Sequence, residues 1–164
     1  NLKEVFIDEK YFVENLDGKI FISKYKVADA NISANFKNNQ NISFTIRTDK
    51  KGYKITTLSS SWAKPLVNRY KFIKGFEDGY LDFYSSKKNG ISNSKLIIDN
   101  FKVKEIPALA KLLALSSLQG IADLLTGEGI RFTDFEMNFT NENKLMTINE
   151  IYAIGPSISI LMEG

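Results

Sequence analysis

Apolar and polar residues alternate along much of the first hundred positions, the period-two signature of strands with one dry and one wet face. Ala28, Ala30, Ile32, Ala34 and Phe36 interleave with Asp29, Asn31, Ser33, Asn35 and Lys37. After the polar turn Asn38-Asn39-Gln40-Asn41, Ile42, Phe44 and Ile46 alternate with Ser43, Thr45 and Arg47, which predicts a hairpin. Asp49 to Gly52 turns the chain into a run from Tyr53 to Leu58. Further strands are expected at Gly79 to Ser85 and Ser94 to Val103, joined through Lys87-Lys88-Asn89-Gly90, whose Asn-Gly pair favours a tight turn. Ile130 to Thr140, Lys144 to Ile154 and Ser157 to Met162 read as three more, separated by Asn141-Glu142-Asn143 and Gly155-Pro156.

Two stretches depart from alternation. Between Ser59 and Phe76, Trp62, Leu66, Val67 and Tyr70 recur at helical spacings and Pro65 suits a first turn, so a short helix is expected. Between Pro107 and Gly127, the leucines would surround a single helix on every side, which is wrong for a half-exposed element. A break at Ser116, with Ser116 and Gln119 as a capping box, restores an apolar face to each half. The spacing therefore predicts a helical hairpin over 107–126. Leu109, Leu112 and Leu113 line one half, and Leu118, Ile121, Ala122 and Leu125 the other.

About eight strands make a sheet roughly 38 Å wide, whereas a ten-residue helix is about 15 Å long. The hairpin cannot cover the whole dry face. The rest must be hidden by curling of the sheet, by adjoining chain, or by an apolar ligand. Gly18, Gly52 and Gly79, each opening a strand-like run, favour a repetitive and curved sheet over a compact sandwich.

The chain has 164 residues, enough for one domain with its own core, and 43% hydrophobic and 25% charged content place it among ordinary folded chains. It contains neither cysteine nor histidine, which removes thiol nucleophiles, thiolate or imidazole metal ligands and the usual general base near neutral pH. No catalytic residue, metal ligand or cofactor is assigned. The net charge of +3 comes from 22 basic and 19 acidic residues mixed along the chain, which reads as a solvated surface, not a nucleic-acid face. No apolar run reaches the roughly 18 residues of a membrane helix, and residues 1–4 begin no signal sequence. Ile158 to Gly164 read as a strand continuing beyond the given chain.

Several local patterns dissolve on inspection. Gly127-Glu128-Gly129 has Phe132 where a dinucleotide fingerprint needs its third glycine, and reads as a helix end. Lys74-Gly75-Phe76 and Tyr80 resemble an RNA-binding strand, but Glu77 and Asp78 would oppose phosphate. Asp78, Asp82, Asp123, Glu128 and Asp134 are scattered, with no spacing that forces two to converge. The sequons at Asn31, Asn41 and Asn138 follow from alternation in an Asn-rich chain.

The run Asp99-Asn100-Phe101-Lys102-Val103, then Pro107 to Leu113, Ser117 to Leu125 and Gly127-Glu128-Gly129-Ile130-Arg131-Phe132 resembles the C-terminal region of the AsmA-like family, of the YhdP type. The likeness covers Asp99 to Gly164 well and Trp62 to Asn93 loosely. Residues 1–61 share only the alternation. Ile106 and Ala114 depart from the residue types expected there. The resemblance implies a non-enzymatic, periplasmic segment of a longer envelope protein, held at the inner membrane by an N-terminal anchor outside this chain. It also implies a long curved β-groove that carries phospholipid between inner and outer membranes.

The expected architecture is thus mainly β (α+β by content): one segment over 1–164, a curved antiparallel sheet forming an open groove or half-barrel, with an inserted helical hairpin. Ile32, Phe36, Phe44, Ile46, Phe83, Phe135, Met137 and Phe139 are the candidate groove residues, and phospholipid the expected partner. The rival expectation is a structural module whose hairpin, through Leu109, Leu112, Leu113, Leu118, Ile121 and Leu125, docks an envelope protein or lies on a membrane surface.

Overall fold

The computed structural model describes residues 2–70, 73–104, 129–156 and 158–164. Their chain forms one open antiparallel sheet of ten strands. The strands are β1 (Leu2–Phe6), β2 (Phe12–Ser23), β3 (Lys26–Asn35), β4 (Asn41–Thr48), β5 (Lys54–Ser60), β6 (Phe76–Lys88), β7 (Ile91–Val103), β8 (Ile130–Glu142), β9 (Leu145–Ile154) and β10 (Ser159–Glu163). A short helix, α1 (Lys64–Tyr70), lies between β5 and β6. Spatial order equals chain order, and every neighbouring pair is antiparallel. The sheet is wider than the eight strands expected, at roughly 48 Å by the same measure. The helical hairpin expected over 107–126 lies outside the described residues.

Three hairpins close with two residues. Lys24-Tyr25, Asn89-Gly90 and Asn143-Lys144 all have positive φ at both positions, the conformation whose twist matches that of the flanking strands. The β4–β5 connection is held by Asp49, whose Oδ1 accepts from the Lys51 and Tyr53 backbone N–H groups. These four turns occupy one end of the sheet, called the turn end below. The Asn35–Asn41 connection, α1 and the Ile154–Ser159 connection all lie at the other end, and most of the core is there.

Two buried clusters define that core. In the first, Ala63 and Val67 of the α1 segment pack on Phe76, Leu81, Phe101 and Ile130. In the second, Val13, Ala34 and Phe36 lie under Trp62. Trp62 meets Phe36 and Tyr11 edge-on, with ring centroids 5.3 and 5.5 Å away, so an aromatic arch spans from the start of β2 to the end of β5. Pro65 sits in the first turn of α1, where a missing N–H costs nothing.

Strict alternation fails where the core is thickest. Leu81 and Phe83 face the same cluster as Phe76, and Ile98 the same cluster as Phe101 and Val103, although their sequence parity differs. The phase is reset by left-handed residues: Asp78 (φ 65°) and Gly79 (φ 81°) in β6, and Asn100 (φ 53°) in β7. β8 makes the same switch between Phe132 and Phe135, where Thr133 Oγ1 donates to the Ile154 carbonyl. Gly79 is required twice over, since a Cβ there would also lie 3.1 Å from Phe101 Cβ and 3.2 Å from Ala63 Cβ. Gly18 and Gly79 therefore lie inside strands, and only Gly52 lies in the turn that precedes one.

Candidate functional site

The dry face of the sheet carries the candidate residues, and cross-strand register arranges them in rows. One row runs Gly18, Ile32, Phe44, Leu58, Phe83, Leu96, Met137, Ile151 and Met162, each directly opposite the next across nine strands. Apart from Gly18 every member is a large apolar residue, and none is fully buried. This is an unbroken half-open apolar floor, about 38 Å long at the usual strand spacing.

Parallel rows lie one dry-face step, about 6.6 Å, to either side. Toward the core end, Ala34, Ile42, Ser60, Leu81, Ile98, Phe135, Ala153 and Ile160 form a more buried row. Toward the turn end, Ile20, Ala30, Ile46, Thr56, Ser85, Ser94, Phe139 and Ile148 form a mixed one. In that row Ser94 Oγ donates to Ser85 Oγ at 2.9 Å.

Of the eight residues singled out from sequence, Ile32, Phe44, Phe83 and Met137 thus share the floor. Ile46 and Phe139 flank it on the turn side, and Phe135 flanks it on the core side. Phe36 stands apart: at 1% exposure beneath Trp62 it is sealed core, not a surface a ligand can touch. Phe139, at 8%, is nearly closed over by Phe83. Leu58, Leu96, Ile151 and Met162 complete the floor and were not singled out. Counting outward from the Asn89-Gly90 turn pairs Phe83 with Leu96, so that part was accessible from the turn signal. Leu109, Leu112, Leu113, Leu118, Ile121 and Leu125 lie outside the described residues.

The opposite face is mainly polar and cross-linked, although Ile55, buried at 6%, and Ile97 also lie on it. Lys95 pairs with Glu136 at 2.7 Å, Asn138 donates to Glu136 and Glu150, and Thr45 and Thr57 share a hydrogen bond. The Lys95 and Asn138 hydrogen bonds hold Glu136 below the usual carboxylate range. Asp99 moves the other way, raised by burial and by the charges of Asp134, directly opposite, and Asp82. Among the described residues no group of three or more carboxylates is placed to hold a metal ion, and no helix is long and apolar enough to cross a membrane.

A dry face with one open side offers acyl chains what it offers core side chains, removal of apolar surface from water at roughly 25 cal/mol per Å². No protein-family model, curated protein or solved structure matches the chain.

Proposed function

We propose that the chain is a non-enzymatic, lipid-conducting segment of a periplasmic envelope protein of the AsmA-like type, its dry face carrying phospholipid between inner and outer membranes. The observation that carries this reading is the nine-strand apolar floor, which α1, only about 10 Å long, is far too short to cover. The large apolar residues of the floor are contiguous across eight strands and only partly buried, and a contiguous apolar patch marks a site of contact. The three dry-face rows span about 13 Å along the strands, close to the roughly 15 Å of one leaflet's chains. Each methylene taken from water contributes about 0.8 kcal/mol, so a lipid held here needs no energy source to stay and little to slide to an equivalent row. The sequence likeness over Asp99 to Gly164 points to the same activity.

Photo-crosslinking in cells tests the reading. A photoreactive residue at Phe44, Phe83 or Met137 is expected to capture phospholipid, while Asn31 or Asn138 on the wet face captures none. Protein adducts, or no adducts, from all three dry positions would overturn conduction along this face.

A further inference from the structure

We propose that β5, β6 and β7 carry a head-group site for a phospholipid phosphate at the turn-side margin of the apolar floor. This rests on the lipid-conduction reading and goes beyond it by locating where one lipid's polar end sits.

The argument is a polarity gradient repeated on three adjacent strands. Along β5 the dry face reads Leu58, Thr56, Lys54; along β6 it reads Phe83, Ser85, Lys87; along β7 it reads Leu96, Ser94, Ser92. Register sets these side by side: Leu58 with Phe83 and Leu96, then Thr56 with Ser85 and Ser94, then Lys54 with Lys87 and Ser92. Hydrocarbon, hydroxyl and ammonium therefore follow one another at steps of about 6.6 Å, the order of acyl chain, ester and phosphate in a glycerophospholipid.

Two features mark this as more than a sheet margin turning polar. Lys54 and Lys87 are directly opposed across the strand pair, an arrangement that like charges disfavour. Lys54 Nζ is drawn to the Val27 carbonyl at 2.6 Å, and no carboxylate among the described residues bridges the two lysines. A phosphate between them would supply the missing counter-charge through charge-assisted hydrogen bonds. Ser94, only 7% exposed, donates to Ser85 and so leaves the Ser85 hydroxyl proton for an outside acceptor such as an ester carbonyl.

The surrounding field has the right sign. Lys24 lies in one turn with Lys26 beside it, Lys50 and Lys51 lie in the next, and Lys88 and Lys144 belong to the other two. The acids of these turns are Asp49, turned inward onto backbone N–H groups, and Glu142. Such a concentration of cations raises the local population of anions.

The test compares the chain's affinity for a short-chain phosphatidylglycerol with that for the diacylglycerol of the same chains, by native mass spectrometry and by fluorescence competition. Phosphatidylglycerol is expected to bind about ten- to a hundredfold more tightly, the range of a charge-assisted hydrogen bond. Lys54→Met with Lys87→Met is expected to abolish that preference while leaving diacylglycerol binding unchanged and the fold at least as stable, and Lys87→Met alone to reduce it. Equal affinity for the two lipids, or a preference that survives the double substitution, would overturn the site while leaving conduction standing. Displacement of the lipid by millimolar inorganic phosphate would assign the lysines to free phosphate and overturn the lipid assignment. Failure to bind either lipid would overturn the conduction reading together with the site.

Discussion

Phe83 and Phe139 stack with ring centroids 6.4 Å apart although a whole strand, β7, lies between theirs. Strands two apart are about 9.6 Å distant, so the rings lean toward each other over the residue between, and that residue is Ser94, opposite Phe139. A small side chain on β7 lets two large ones roof it. Phe139→Ala removes a nearly buried ring and is expected to destabilise by about 3 kcal/mol. Phe83→Ala, half-exposed on the floor, is expected to cost about half as much. Urea unfolding monitored by circular dichroism separates the two, and equal costs would show that the floor is as closed as the core.

Gly18 begins the apolar floor because nothing larger fits. A Cβ there would lie 2.3 Å from the Asn31 carbonyl oxygen and 2.8 Å from Ile32 Cα, both backbone atoms of the paired strand. Gly18→Ala is expected to cost about 2–3 kcal/mol, the upper range for overpacking, with faster amide exchange in β2. Gly52→Ala is the control, since open space surrounds it and only its φ of 81° is strained. Its expected cost is about 1 kcal/mol.

What sequence reveals of this sheet divides along physical lines. Alternation from Ala28 to Phe36 and the Asn89-Gly90 turn mark strands and register because both are local. The phase reset at Gly79, Asn100 and Thr133 is not local: three left-handed or bent positions from distant segments align only once the strands pair. A bulge at Asn15 (φ 53°) likewise breaks the pattern of β2, so simple alternation does not mark that strand. Charge misleads for a related reason. Lys24, Lys51, Lys88 and Lys144 are spread along the chain among acids and read as mixed, but a meander sends alternate turns to one end and gathers them there. The head-group site shares that cause, since Lys54 and Lys87 lie far apart in sequence and face each other only across β5 and β6.

Asp99 and Asp134 face each other on the wet side, and burial together with Asp134 and Asp82 raises the Asp99 carboxyl above its ordinary value of 3.8. A carboxyl whose folded value is raised binds its proton more readily in the folded state. Its ionisation therefore lowers stability above the folded value, and the penalty lifts as pH falls through that value toward the unfolded one. Asp99→Asn is expected to stabilise the fold by about 0.5–1 kcal/mol at pH 7, the size of a directly opposed like-charge pair, and by almost nothing at pH 3. Glu136 supplies the opposite sign: lowered by Lys95 and Asn138, its contribution is present above the ordinary value and is lost as pH falls through the folded one. Urea midpoints of both proteins across pH 3 to 7 check the crossing, and a constant difference would assign the effect of Asp99→Asn to packing instead of charge.

Lys24-Tyr25 closes the β2–β3 hairpin with φ of 49° and 60°, the geometry that Asn89-Gly90 adopts at 52° and 87°. Glycine takes this conformation freely and asparagine tolerates it, but for lysine and tyrosine it costs roughly 1–2 kcal/mol per residue. The tyrosine ring recovers none of that by packing, since Tyr25 is fully exposed at 102%. Replacing the pair by Asn-Gly is therefore expected to stabilise the protein by about 1–2 kcal/mol and to leave the Ser23–Lys26 pairing intact. The reciprocal change, Asn89-Gly90 to Lys-Tyr, is expected to destabilise by a similar amount. Unfolding midpoints of the two exchanges measure the same conformational term with opposite sign. If the Asn-Gly variant were the less stable one, Tyr25 would have to gain more in the folded protein than its exposure permits, and the turn would owe its residues to a contact made with something bound at that end of the sheet.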